Sequence, residues 1–112
     1  MLRIAQKLAA KSHHRQHHHG VIITRGSKII ATGYNHKHLH AEEDALRKVI
    51  TLSLRTGRCI KGITLYSFRW RKGGTWGNAK PCQECTYMIE TESHYTIAAI
   101  FYTNEKGELT KL

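Results

Sequence analysis

The sequence is poor in cysteine and proline and contains no long apolar run. Its three cysteines, at positions 59, 82 and 85, cannot form a complete disulfide framework, and this low number is typical of a reducing compartment. Without an apolar stretch of about 20 residues, no membrane-spanning helix is predicted, and residues 1–11 do not resemble a signal peptide. These absences exclude a secreted disulfide scaffold and a membrane partner, and they favour a soluble, intracellular, cytoplasmic protein.

Linker-like segments are also absent. The single proline and the lack of a Ser/Gly-rich stretch leave no obvious boundary, so we expect one domain over residues 1–112. At this length folding buries only about two-thirds of the surface of the unfolded chain, so a metal ion or subunit contacts would add useful stability. A homo-oligomer is therefore a candidate assembly.

Acidic residues are scarce. Eight Asp and Glu stand against eighteen Lys and Arg, which gives a formal charge of +10 with histidine neutral. A field of this sign attracts phosphate groups, but it does not distinguish a mononucleotide from a polynucleotide. A basic surface that serves only solubility is the alternative interpretation.

Hydrophobic periodicity predicts an alternation of helices and strands. The predicted elements are a first helix within residues 1–11, a hairpin of strands 21–24 and 28–32, a helix from His40 to near Gly57, a strand over 63–70, a glycine-containing loop over 73–77, a helix over 82–92, a strand over 96–103 and a short antiparallel return within 104–112. This order predicts an α/β fold: a three-layer α-β-α sandwich around a mixed β-sheet of four to five strands, with an N-terminal β-hairpin.

A histidine-rich segment occupies residues 13–19. An Arg-Gln pair interrupts it and a predicted strand follows, so we treat it as native sequence rather than as a purification tag. We interpret it as an exposed polar connector that can bind metal ions adventitiously.

Two short motifs stand at the starts of two predicted helices: His-Ala-Glu at residues 40–42 and Pro-Cys-Gln-Glu-Cys at 81–85. Backbone N–H groups at a helix start favour negative charge, which helps Cys82 and Cys85 to become the thiolates that bind zinc. One nitrogen of His40 and two thiolates leave a fourth tetrahedral position open, which is typical of catalytic zinc.

Glu42 is the candidate catalytic residue of this site. Water in the open position of a zinc site has a pKa lowered toward neutrality, so it becomes a hydroxide-like nucleophile. Glu42 lies two residues beyond His40, near the metal without needing to bind it. Its carboxylate can therefore carry the water proton to a substrate.

Each of these residues has a simpler interpretation. Cys82 and Cys85 alone could form a redox pair or half of a zinc ribbon, and His36 or His38 could close a structural zinc site. Glu42 could be a first-turn carboxylate favoured by the helix dipole. The unpaired Cys59 is expected to be a small buried apolar residue outside the site.

His-Ala-Glu followed by Pro-Cys-x-x-Cys resembles the zinc signature of the cytidine deaminase superfamily. The predicted order of elements over residues 1–103 is similar to that superfamily as well. The resemblance implies zinc-dependent hydrolytic deamination of a nucleobase, with one Zn²⁺ per chain held by His40, Cys82 and Cys85. It also implies that Asn35, within Gly33-Tyr34-Asn35, contacts the sugar. The candidate substrate contacts are Asn35, Ala41, Trp70, Trp76, Lys80 and Pro81.

The substrate is less well specified than the reaction. Trp70 and Trp76 flank a basic stretch of the kind on which single-stranded nucleic acid stacks, although Trp70 could equally end a core strand. The short C-terminal part resembles the hairpin-ended branch that includes free cytidine deaminases. Deaminases of single-stranded DNA, of tRNA adenosine and of deoxycytidylate generally have a longer C-terminal part.

We therefore expect deamination of cytosine in a nucleoside or nucleotide. One alternative is a deaminase of cytosine, or less readily adenine, in single-stranded DNA or RNA. Another is a non-catalytic nucleic-acid-binding module that keeps zinc for stability. Retention of Glu42 argues against the binding module, because a structural zinc has no use for a proton carrier.

Overall fold

The computed structural model describes residues 4, 17–36, 39–71 and 75–112. Within these ranges the elements are β1 (His17–Arg25), β2 (Lys28–Tyr34), α1 (Ala41–Thr56), β3 (Ile60–Arg71), β4 (Trp76–Gly77), α2 (Gln83–Thr91), β5 (Tyr95–Thr103) and β6 (Leu109–Lys111). The helix predicted over residues 1–11 lies outside the described residues except for Ile4, and so does the 13–16 part of the histidine-rich segment.

The described strands form one mixed sheet in the order β2-β1-β3-β5-β6, with β4 paired to β3 beside this path. β3 and β5 are parallel, and the other neighbouring strands are antiparallel. The α/β fold, the mixed sheet and the N-terminal hairpin are therefore confirmed, and so is the antiparallel return formed by β6. The sheet has six strands rather than four or five, because Trp76–Gly77 pairs with the end of β3 where a loop was predicted.

β1 begins at His17, earlier than the predicted start at Val21. Residues 17–19 pair with residues 69–71 of β3, so their interpretation as an exposed connector is wrong. The physical reason is the length of β3, which extends to Arg71 and offers backbone partners to the additional residues of β1.

The main hydrophobic core lies between the sheet and its two described helices. α1 buries one apolar face against β1 and β2, and α2 adds Ile89 to the same cluster. Its buried members are Val21, Ile23, Ala31, Ala41, Ala45, Leu46, Val49, Ile60, Ile63, Leu65, Ile89, Tyr95 and Ile100. Both helices therefore form a layer on one face of the sheet.

The opposite face of the sheet carries a second cluster, in which Ile22 and Phe68 pack with Tyr66 and Trp76. Among the described residues, neither helix is both long enough and apolar enough to cross a membrane.

Strand direction brings both helix starts to one edge of the sheet. β1 is antiparallel to β2 and to β3, and β3 is parallel to β5, so β2, β3 and β5 all run the same way. α1 follows the carboxyl end of β2, and α2 follows that of β3 after the short β4. This edge is where open α/β sheets bind their ligands. Because β1 runs in the opposite direction, its first residues lie at the same edge.

Gly33 sets the distance between β2 and the start of α1. A Cβ at this position would lie 2.5 Å from the carbonyl oxygen of Ala41 and 2.6 Å from the amide nitrogen of Ala45. The neighbouring backbone N–H of Tyr34 donates to Oδ2 of Asp44 in the first turn of α1, at 3.1 Å. The first turn of α1 is thus held against β2 by direct backbone contact and by one hydrogen bond.

We expect Gly33→Ala to lower the free energy of unfolding by about 1–3 kcal/mol, because the added methyl group must displace backbone. It should also weaken zinc binding, since the displaced turn follows directly after His40. Urea unfolding and competition with a zinc chelator measure the two effects.

Gly26→Ala is the matched control. Gly26 has φ 62° at the tip of the β1–β2 turn, and a methyl group added there would meet no atom within 4 Å. Its substitution should lower the free energy of unfolding by about 1–2 kcal/mol, because alanine disfavours a left-handed backbone conformation. It should leave zinc affinity unchanged. Equal zinc affinity in both variants would show that the contact between Gly33 and α1 does not position the site.

Candidate metal centre

His40 occupies the N-cap position of α1. Its backbone is extended, with φ −71° and ψ 153°, and its side chain makes no capping hydrogen bond to the helix. The imidazole is exposed and so remains available to a ligand at the carboxyl edge of the sheet. The helix begins at Ala41, one residue after the predicted start at His40.

Cys82 occupies the equivalent N-cap position of α2. Its Sγ accepts a hydrogen bond from the backbone N–H of Cys85 at 3.4 Å, so the side chain caps the helix. The preceding loop is anchored by the N–H of Ala79, which donates to the carbonyl of Thr103 at the end of β5 at 2.7 Å. Cys82 is exposed, whereas Cys85 lies one turn deeper and is buried.

The three predicted ligand side chains converge. Nδ1 of His40 lies 3.3 Å from Sγ of Cys85, and one ligand atom from each of His40, Cys82 and Cys85 lies within 4.8 Å of the others. A tetrahedral zinc with Zn–S near 2.3 Å and Zn–N near 2.0 Å requires ligand separations of about 3.5–3.8 Å. The cluster therefore fits one zinc ion after adjustments of about 1 Å or less.

A site closed by His36 is not formed among the described residues. Nε2 of His36 lies 3.9 Å from Oδ1 of Asp44, and its ring packs against Tyr34 with centroids 4.8 Å apart. His38, the other candidate for a fourth ligand, lies outside the described residues. Cys59 is not part of the cluster, but the expectation that it is buried is wrong: it is exposed in the turn between α1 and β3.

Glu42 is buried in the first turn of α1, with 2 % of its surface exposed. Its Oε1 lies 3.1 Å from Nε2 of His19 and 3.4 Å from Oγ of Ser67. The adjacent Glu43 behaves differently, since it pairs with Arg47 on the outer face of α1 at 3.4 Å. The burial and partners of Glu42 are not those of a solvated first-turn carboxylate.

The electrostatics of Glu42 and Cys85 follow from their burial and neighbours. Burial raises the pKa of the Glu42 carboxyl, but the hydrogen bond and charge of His19 and the residue's own backbone N–H outweigh it, so the net pKa is below the usual value. Burial also raises the pKa of the Cys85 thiol, and hydrogen bonding to Cys82 and the negative charge of Glu42 act in the same direction.

This direction differs from the expectation of a thiolate favoured at both cysteines. Cys85 is only 5 % exposed and faces the carboxylate of Glu42, so its burial and this negative charge both favour the thiol. A bound divalent cation reverses this balance, because its charge deprotonates a coordinating thiol.

His19 is the residue that sequence reasoning missed. It is 8 % exposed, and its Nε2 approaches Oγ of Ser67 at 2.5 Å as well as Glu42. A signal for it exists in the sequence, because side chains alternate between the two faces of a strand. His19 shares its face with Val21 and Ile23, both of which are in the core beneath α1.

Asn35 supports His19 through the backbone. Its Oδ1 accepts a hydrogen bond from the N–H of His19 at 3.0 Å, and its own N–H donates to the carbonyl of His19 at 3.2 Å. One acceptor site of the amide oxygen is thus engaged within the protein. The contact of Asn35 with a sugar stays a prediction.

The predicted aromatic contacts lie away from the metal cluster. Trp70 and Trp76 pack edge to face, with centroids 4.6 Å apart, and Trp76 also packs against Phe68 at 5.6 Å. These rings belong to the face of the sheet opposite α1 and α2, so the structure does not bring them to the cluster. Of the remaining candidates, Lys80 is exposed, whereas Ala41 and Pro81 are buried.

The His/Cys/Cys site and a comparison with known families together indicate a zinc-dependent deaminase. The family described as the cytidine and deoxycytidylate deaminase zinc-binding region matches residues 1–105. This chain belongs to that family, and its site accommodates one zinc ion. Comparison with curated proteins and with solved structures found no match.

We expect His40→Ala, Cys82→Ser and Cys85→Ser each to weaken zinc binding strongly. Loss of a residue that only hydrogen-bonds to a metal ligand typically lowers metal affinity by about 10- to 100-fold, and loss of a ligand itself should lower it further. Cys59→Ser is the matched control, because this cysteine is exposed outside the cluster. Zinc content after dialysis against a competing chelator measures the effect, and the chelator removes metal held weakly by other histidines. Loss of zinc from Cys59→Ser would contradict the assignment.

Proposed function

We propose that this protein hydrolyses the exocyclic amine of cytosine in a nucleoside or nucleotide. The products are the corresponding uracil compound and ammonia. The observation that carries the proposal is the burial of Glu42 beside the His/Cys/Cys cluster, where a purely structural metal site has no use for a carboxylate that is not a ligand.

In this proposal His40, Cys82 and Cys85 are the zinc ligands. Bound there, zinc supplies Lewis acidity that activates water for attack on the ring. His40 and Cys82 are exposed whereas Cys85 is buried, so the cluster can be reached from solvent past His40 and Cys82. A base can therefore approach the metal from there.

Glu42 moves the protons of the reaction. Its carboxylate accepts a proton from the attacking water and delivers it to ring nitrogen N3 as the new C4–O bond forms. It then accepts the second proton of that oxygen and gives it to the exocyclic nitrogen as the C4–N bond breaks. Water and cytosine are thereby converted to uracil and ammonia, and Glu42 returns to its ionised form.

Two features support a small substrate. β6 pairs antiparallel with β5, which is the hairpin arrangement of the branch that includes free cytidine deaminases. The rings of Trp70 and Trp76, which would stack bases of a polymer, instead pack on each other away from the cluster. Both features favour a nucleoside or nucleotide over a polynucleotide.

A single-stranded polynucleotide is the second candidate substrate, and the charge of +10 favours it. A cleft of about 440 Å³ begins at Lys80, two residues from Cys82, and contains a second cation, Lys106. Tyr102 and Asn104 also line it and offer an aromatic ring and an amide to a nucleotide. Glu105 and Glu108 lie in the same cleft and oppose the binding of a phosphate chain.

We expect Glu42→Gln to retain zinc and to lower deamination by about 100- to 10,000-fold, because it removes the proton carrier without changing the shape of the side chain. The assay follows uracil or hypoxanthine formation from cytidine, deoxycytidine, their monophosphates, adenosine, and single-stranded DNA and RNA. Cytidine or deoxycytidine compounds should be the substrates.

Glu43→Gln is the matched control, because Glu43 is the next carboxylate of the same turn and lies on the outer face of α1. It should deaminate at the wild-type rate. A zinc-loaded wild-type protein that leaves every substrate intact, and binds DNA as well as Glu42→Gln does, would establish the nucleic-acid-binding module instead.

Salt dependence separates the two substrate classes. A substrate held through 6–10 backbone phosphates would lose about 10³- to 10⁵-fold in affinity between 50 and 200 mM salt. We expect the kcat/KM for the preferred substrate to change little over this range, because a nucleoside or single nucleotide releases few counterions. A steep loss with salt, seen only with DNA or RNA, would identify a polynucleotide deaminase.

A further inference from the structure

We propose that His19 is a positioning residue, which holds the carboxylate of Glu42 in the orientation needed for proton transfer by donating a hydrogen bond from Nε2. This proposal rests on the proposed function in one respect, namely that Glu42 is the proton carrier. It concerns a residue in a segment that the sequence alone presents as a polar connector.

Counting donors and acceptors fixes the direction of these hydrogen bonds. Ser67 has a single hydroxyl proton, and its Oγ lies 2.8 Å from the carbonyl oxygen of Ala79, which can only accept. With that proton committed, Oγ of Ser67 must act as an acceptor toward Nε2 of His19 at 2.5 Å. His19 therefore carries a proton on Nε2, and this N–H lies between Ser67 and Glu42.

The hydrogen-bond contacts of Glu42 with His19 and Ser67 fall on one of its two oxygens. His19 and Ser67 both approach Oε1, at 3.1 and 3.4 Å. This leaves Oε2 as the oxygen that exchanges protons with water and base. A carboxylate with one oxygen held by a fixed donor cannot rotate freely, and pre-set orientation of this kind is what proton transfer between successive positions requires.

His19 is itself held rigidly. Its backbone N–H and carbonyl both form hydrogen bonds with Asn35, directly after β2. On the other side of the strand, His19 is the register partner of Arg69 in β3. The side chain is 10 % exposed, so water does not compete effectively for its Nε2–H. The strand that carries His19 is thus clamped on both sides.

The same network reaches the loop that carries the ligand Cys82. Ser67 bonds the carbonyl of Ala79, three residues before Cys82, and the N–H of Ala79 bonds the end of β5. The orientation of Glu42 is therefore set relative to the ligand loop by direct hydrogen bonds, through His19 and Ser67. This coupling gives His19 a role beyond filling space in the core.

The first test compares His19→Leu, His19→Gln and His19→Asn in the zinc-loaded protein. Leu removes the donor, Gln places an N–H near the position of Nε2, and Asn is one methylene too short to reach Glu42. We expect Leu and Asn to lower kcat by about 10- to 100-fold with KM and zinc content unchanged, and Gln to restore most of kcat. If His19→Leu does not fold, the comparison of Gln with Asn carries the test.

His18→Leu is the matched control. His18 is the adjacent histidine of β1 and pairs with Trp70, and strand alternation directs it to the opposite face of the sheet. It should keep the wild-type kcat. An equal loss of kcat in His18→Leu and His19→Leu would overturn the proposal, because it would reflect the strand rather than the contact with Glu42.

A double-variant cycle tests the contact itself. In the Glu42→Gln background, His19→Leu should cause no further loss of kcat, because the group that it positions is already absent. Urea unfolding of the same four proteins provides a readout without catalysis. The effect of His19→Leu on the unfolding equilibrium constant should be about tenfold smaller in the Glu42→Gln background.

The kinetic and unfolding measurements distinguish failure of the proposed function from failure of the positioning role of His19. If the wild type deaminates nothing, the proposed function fails, while coupling in the unfolding cycle still reports the pairing of His19 with Glu42. If the wild type is active but the two substitutions multiply in kcat and are additive in unfolding, the positioning role of His19 is refuted and the deaminase remains.

Discussion

A buried carboxylate needs compensation, and the Glu42 side chain obtains it from three different strands and loops. An isolated charge with 2 % exposure would be strongly destabilising. His19 on β1 supplies a donor, Ser67 on β3 accepts from that donor, and Ala79 in the ligand loop accepts from Ser67. The backbones of these partners are themselves hydrogen-bonded to the sheet, since β1 pairs with β3 and the N–H of Ala79 donates to Thr103. The hydrogen bonds of the carboxylate therefore link β1, β3 and the ligand loop at the carboxyl edge. Removing any one partner would leave a buried polar group unsatisfied.

The topology explains why these partners are available at one place. β2, β3 and β5 end at the same edge, so the helices that follow β2 and β3 both begin there, with His40 and Cys82 at their N-cap positions. β1 runs the other way and therefore starts at this edge, which brings His19 to the beginning of α1. A sheet with only parallel strands would place the start of each strand at the far edge. The mixed sheet is thus what allows a strand start to support two helix starts.

The boundaries of both described helices could be predicted from local signals such as Pro81 before α2 and Gly57 after α1. His40 and Cys82 could be predicted as ligands because two short motifs with zinc-binding side chains stand at those helix starts. His19 was missed because Gly20 separates it from the β-branched run, although the alternation of faces in β1 extends through it. The same alternation explains the position of Trp70. It lies three residues beyond Ser67 on β3, so the two side chains point to opposite faces of the sheet, and only the observed register of β3 shows that Trp70 points away from the cluster.

Charge explains why the reaction is better specified than the substrate. Two thiolates would balance a bound divalent cation and the carboxylate of Glu42 adds a negative charge, so the buried site offers no surplus positive charge to a phosphate. Among the described residues, exposed cations such as Lys80 contribute to the net charge of +10, and few local constraints fix their side chains. Buried residues are constrained by packing and hydrogen bonding, so their chemical roles can be inferred from their partners. Exposed cations satisfy solubility and several phosphate-bearing ligands equally well, so the number and arrangement of phosphates that they contact must be measured.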